Sequence, residues 1–155
     1  MTRQTQAAIG VLALVIIATH CTGCGASPVG TQYQALRVAA SIFDSATDGA
    51  EAALTTQAQA CNHEDACLDA VHARWLPVRA AQSAVLVLLQ GWAGIIQLWE
   101  AAGDLPSLLR ASIRQVEAIG GAWNAWAQAS SAAGWLTLPP LPPEVMAFAA
   151  ALGGE

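Results

Sequence analysis

The chain has 155 residues, 55% of them hydrophobic and only 11% charged, with a formal net charge of −5. That length suits one domain, and the acidic balance, with six basic residues that are all arginine, argues against nucleic acid or an anionic lipid surface as a partner. Alanine supplies 35 residues, which favours helix and lets helices approach closely. So few charges imply that part of the surface is covered by a protein partner, a second copy or a membrane.

At the N-terminus a short leader with one positive charge, Arg3, precedes an apolar run over residues 7–18, and small and polar residues lead on to Cys24. That is the order of an export signal: a charged region, an apolar region of about 7–15 residues, then a small-residue cleavage point. A spanning helix needs about 20 apolar residues, so a retained membrane anchor is the competing reading. His20 is bulky in front of Cys21, whereas Thr22 and Gly23 in front of Cys24 are small. The segment Cys21-Thr22-Gly23-Cys24 resembles the lipobox of bacterial lipoproteins, with Cys21 where an aliphatic residue is usual. The resemblance covers residues 1–24 and implies that Cys24 is diacylated and becomes the N-terminus once residues 1–23 are removed. Gly25 resembles the residue found in lipoproteins bound for the outer membrane, since aspartate there marks retention at the inner one. A chain beginning at Cys24 keeps five arginines against eleven acids, a net charge of −6. Residues 24–30 read as a flexible tether.

From Thr31, a candidate N-cap, the period becomes helical. Leu36, Ala40, Phe43, Thr47, Ala50, Leu54 and Gln57 advance in steps of four and three, beside a nearly all-small row through Ala35, Ala39, Ile42, Ala46 and Gly49. Cys61 and Cys67 then close a short segment. On one continuous helix they would lie about 9 Å apart along the axis, too far for a disulfide, so the chain must turn between them. Asn62 reads as the N-cap of the next helix, and an exported chain would oxidise the pair. The alternative is a metal site of Cys61, His63, Cys67 and His72, although their spacing matches no finger pattern.

A long helix is predicted from Asp65 to about Ala102, with Pro77 kinking it or opening a new segment. Its twenty uncharged residues between Arg79 and Glu100 could span a bilayer. Ser83, Gln90 and Gln97 recur every seven residues, which fits better a helix packed in a soluble bundle. Trp92 and Trp99 share a face and are predicted core residues. Gly103, Asp104 and Pro106 stop one helix and start another, whose apolar stripe is Leu109, Ile113, Val116, Gly120, Trp123 and Ala127. The helical signal fades over 130–134. Residues 138–143 are proline-rich and must be extended, and residues 144–152 form a last short helix.

No nucleophile elbow, phosphate-binding glycine loop or paired zinc-ligand motif is present in the sequence. The expected fold is all-α: an antiparallel bundle of three main helices over 31–134 with a short C-terminal helix in 135–155, after an N-terminal signal or anchor. The expected protein is a small envelope lipoprotein, bacterial or phage-encoded, with no catalysis and no cofactor. It would be lipid-anchored on the periplasmic side and work through a protein partner or a second copy. The competing expectation is an integral membrane protein, a small pore or lysis-related one, with spans near 7–24 and 80–99.

Overall fold

Three long helices carry the structure, and each is explained by its own sequence. The computed structural model describes residues 28–102, 106–134, 138–143, 145 and 146; the expected signal, Cys21 and Cys24 lie outside these residues. Helix α1 spans Pro28–Ala60, α2 Asp65–Ala102 and α3 Pro106–Ala132, and the described residues contain no strand. Proline opens both α1 and α3, where its fixed φ suits the first turn and its missing N–H costs nothing. The start at Pro28 corrects the expected tether: residues 28–30 belong to the helix, and Thr31 is not its cap. Pro77 sits inside α2 without ending it.

The buried positions follow the helical repeat. On α2 these are Val71, Trp75, Val78, Val85, Leu89, Trp92, Ile96 and Trp99, in alternating steps of four and three with one seven. Trp92 and Trp99 are core residues, as expected. On α1 the buried line is Gln32, Ala39, Phe43, Ala46 and Ala50, which takes members from both rows visible in the sequence. On α3 the line runs through Ser112, Val116, Ile119, Trp123, Trp126 and Ser130. The predicted Leu109, Ile113 and Ala127 sit half-buried at its edge.

Side-chain contacts join the helices. Tyr33 near the start of α1 meets Glu100 near the end of α2, while Thr47 meets Gln82 further down. Gln115 of α3 donates to the Leu88 carbonyl of α2. Between α1 and α3, Gln32 meets Ser112, and the Phe43 and Trp126 rings lie 5.4 Å apart. Trp123 and Trp126 contact edge to face, with centroids 5.2 Å apart and planes at 82°. Such ring pairs add about 0.5–1.5 kcal/mol beyond the area they bury.

After α3 the chain turns at Gly134, whose φ of 68° is the left-handed conformation that glycine adopts without strain. The proline-rich segment does not hang free. Leu138 is buried, and Trp123 Nε1 donates to the Pro139 carbonyl at 2.9 Å. Val145 is buried too, and the Val145 N–H bonds to the Pro142 carbonyl; most of the expected last helix, 144–152, lies outside the described residues. Gly120 lies against the strap: a Cβ there would stand 3.2 Å from the Met146 Sδ and Cε, the flexible end of that side chain.

Trp123→Ala should cost about 3–5 kcal/mol by urea unfolding, since it removes a fully buried indole and the strap over it. Leu76→Ala, on the outer side of α2, should stay within about 0.5 kcal/mol of wild type.

Candidate functional site

Two local arrangements stand out from ordinary helix packing: the cysteine turn and a buried polar junction. At the turn, the two sulfurs lie at disulfide distance, with the Cα atoms 5.5 Å apart. The chain reverses as the sequence requires, but not through an Asn62 cap. Asn62 and His63 have φ of 51° and 66°, both left-handed, a conformation asparagine tolerates because its short side chain can bond locally. The Leu68 N–H bonds to the Glu64 carbonyl at 3.0 Å. Glu64 therefore occupies the cap position, directly before Asp65, whose charge suits the positive helix start. Cys61 is buried, while His63 and His72 are exposed. Among the described residues no group of three or more His, Cys, Asp or Glu side chains gathers, so the metal alternative at Cys61, His63, Cys67 and His72 has no assembled site.

The polar junction was not legible in the sequence. Gln32 is fully buried. Its Oε1 accepts from Ser112 Oγ at 2.8 Å and from Trp92 Nε1 at 3.3 Å, joining all three helices. Its Nε2 has no partner among the described residues, and neither do Trp126 Nε1 and Ser130 Oγ. Buried groups of this kind cost about 1–3 kcal/mol each.

Two clefts open on the surface. One of about 300 Å³ lies under the strap, between Glu117, Gly121 and Asn124 of α3 and Pro140, Leu141 and Met146. The other, about 460 Å³, runs between α1 and α2, with Thr47, Glu51, Arg79 and Gln82 among apolar walls. Neither contains a nucleophile paired with a base. Tyr33 Oη donates to Glu100 Oε2 at 3.1 Å. Its pKa is raised by desolvation first, then by that hydrogen bond and the carboxylate charge, so the phenol stays protonated and donating.

The outer side of α2 is the unexpected surface. The predicted polar residues Ser83, Gln90 and Gln97 are exposed, but so are Leu76, Val87 and Leu98 at 56%, 64% and 60%. Their spacing of eleven residues was the available signal, because eleven residues complete three helical turns and return to one line. By length and composition α2 could cross a membrane, and only 22% of its most apolar window is buried. No protein-family model, curated protein or solved structure matches the chain.

Intact mass without reductant should fall two hydrogen masses short of the free-thiol value for the Cys61–Cys67 pair. Replacing both cysteines by alanine should lower stability by about 2 kcal/mol, the closure entropy of so small a loop. Ser130→Ala should be neutral or stabilising by up to about 1 kcal/mol in urea unfolding, because it deletes an unbonded buried hydroxyl.

Proposed function

We propose that the chain is a small lipid-anchored envelope protein, bacterial or phage-encoded, acting without catalysis as a structural and interaction module. The observation that carries the reading is the order of residues 1–24: Arg3, the apolar run, then Thr22-Gly23-Cys24. Cys24 would carry the lipid, palmitate among its acyl groups, and Gly25 favours the periplasmic face of the outer membrane. A cysteine pair at disulfide distance supports an oxidising compartment. In this reading the three helices form an antiparallel bundle with a short C-terminal helix, following the signal. Only three residues would separate Cys24 from Pro28, so the helices would start within about 14 Å of the lipid attachment. Such a module would be held close to the membrane surface, which favours contact with other membrane-held proteins.

A second reading is favoured by the length and apolar character of α2: an integral protein with spans near 7–24 and 80–99. The core side of α2 weighs against it, because Trp92 and Ile96 pack in one core with side chains of α1 and α3.

Metabolic labelling with palmitate should mark the wild-type chain, and Cys24→Ser should abolish both the label and processing. Carbonate washing should release the Cys24→Ser protein from membranes. An unlabelled wild type sinks the lipid reading, and a mutant that stays in the carbonate pellet supports the spanning one.

A further inference from the structure

We infer that the groove on α3 beneath the strap is a recognition site for proline-rich peptide. The chain's own residues 138–143 occupy it, and a proline-rich segment of a protein partner would take it by displacing them. The first observation is a repeat. Residues 138–143 read Leu-Pro-Pro twice, and three residues make one turn of a polyproline helix. Leu138 and Leu141 therefore return to one side. That side is the one packed on the core, with Leu138 buried and Leu141 half-buried, while Pro139, Pro140 and Pro143 are exposed.

The second observation is a matched donor. Proline has no N–H, so a segment with prolines at 139, 140, 142 and 143 offers its surroundings carbonyl acceptors and almost no backbone donors. The groove supplies the complement. The Trp123 indole, a donor with no acceptor, bonds to the Pro139 carbonyl at 2.9 Å. Aromatic-lined grooves hold proline-rich segments well because the backbone is already set and loses little freedom on docking. The Trp123 ring is also held from below, edge to face on Trp126 at 5.2 Å, which keeps the donor in place when the strap leaves.

The third observation is room. A cleft of about 300 Å³ stays open beside the strap, between Glu117, Gly121 and Asn124 of α3 and Pro140, Leu141 and Met146. Gly121 has nothing within 4 Å of where a Cβ would stand. The strap covers only part of the groove, so an incoming segment can begin to dock before the strap has gone. Among the described residues the strap is held by the Trp123 bond and by the burial of Leu138 and Val145.

Because it is tethered, the strap competes at a local concentration of about millimolar. A free peptide binds only the fraction of molecules whose strap is off, and its apparent affinity is reduced by that fraction. The inference rests on the proposed interaction role and gives its partner chemistry. It is tested without the lipid, so that failure of the anchor leaves it unaffected.

The test is fluorescence anisotropy of a dye-labelled peptide of residues 136–146 with the full chain carrying Cys24→Ser, in mild detergent. The peptide should bind weakly to this chain, and roughly tenfold or more tightly once Leu138→Asp loosens the strap. Pro139→Gly, which loosens the strap through chain entropy alone, should raise the affinity in the same direction. Adding Trp123→Phe, which keeps a ring and removes the donor, should cancel the gain. A peptide with aspartate in place of both leucines should not bind. Strap variants that gain no affinity, a gain that survives Trp123→Phe, or binding indifferent to the aspartates overturns the inference. So does loss of helical circular dichroism in both strap variants, which would make the strap a part of the fold that nothing displaces. A chain that sediments as a dimer and turns monomeric with Leu138→Asp would give the groove to the strap of a second copy, and overturns it too.

Discussion

One buried oxygen, Oε1 of Gln32, receives a hydrogen bond from each of the other two helices, from Trp92 of α2 and Ser112 of α3. Alanine-rich helices have little else to fix their register, because small side chains slide past one another with few distinct minima. A polar group in an apolar interior behaves differently. It must find its partner or lose a hydrogen bond at low dielectric, so only one alignment satisfies it. The large rings do the rest: Phe43 and Trp126 meet between α1 and α3, with Trp123 edge to face against Trp126.

Low charge and high helicity are two consequences of the same composition. Alanine makes the helices stable and thin, and it leaves few residues to make the surface polar. On α2 this produces a helix with two apolar sides. One faces the tryptophan core, and the other, through Leu76, Val87 and Leu98, faces outward. Hydropathy cannot tell such a helix from a membrane span. The side that packs on the other helices is the one that carries Val85, Trp92 and Ile96.

The cysteine turn shows how local chemistry and covalent geometry cooperate. Two successive left-handed residues, Asn62 and His63, reverse the chain in the fewest steps and bring Cys61 back over the first turn of α2. The turn joins the end of α1 to the start of α2, and the Cys61–Cys67 pair ties that junction. The proline strap plays a similar part at the C-terminal end, where Leu138 and the Pro139 carbonyl cover Trp123.

The sequence by itself determined three helices, the breaks between them, the approach of Cys61 to Cys67 and the core placement of Trp92 and Trp99. It also supplied the N-terminal order ending at Cys24, on which the proposed address depends. These are local properties, set by repeat, turn chemistry and reach along the chain. Tertiary structure alone decided that Ala39 and Ala46 share the α1 seam with Phe43 and Ala50, because both rows were equally apolar until Trp126 met Phe43. It alone buried Gln32, a residue that composition would leave in water, and it alone left Leu76, Val87 and Leu98 outside. Burial is a relation between helices, and no single helix carries the information about which of its faces a neighbour will take.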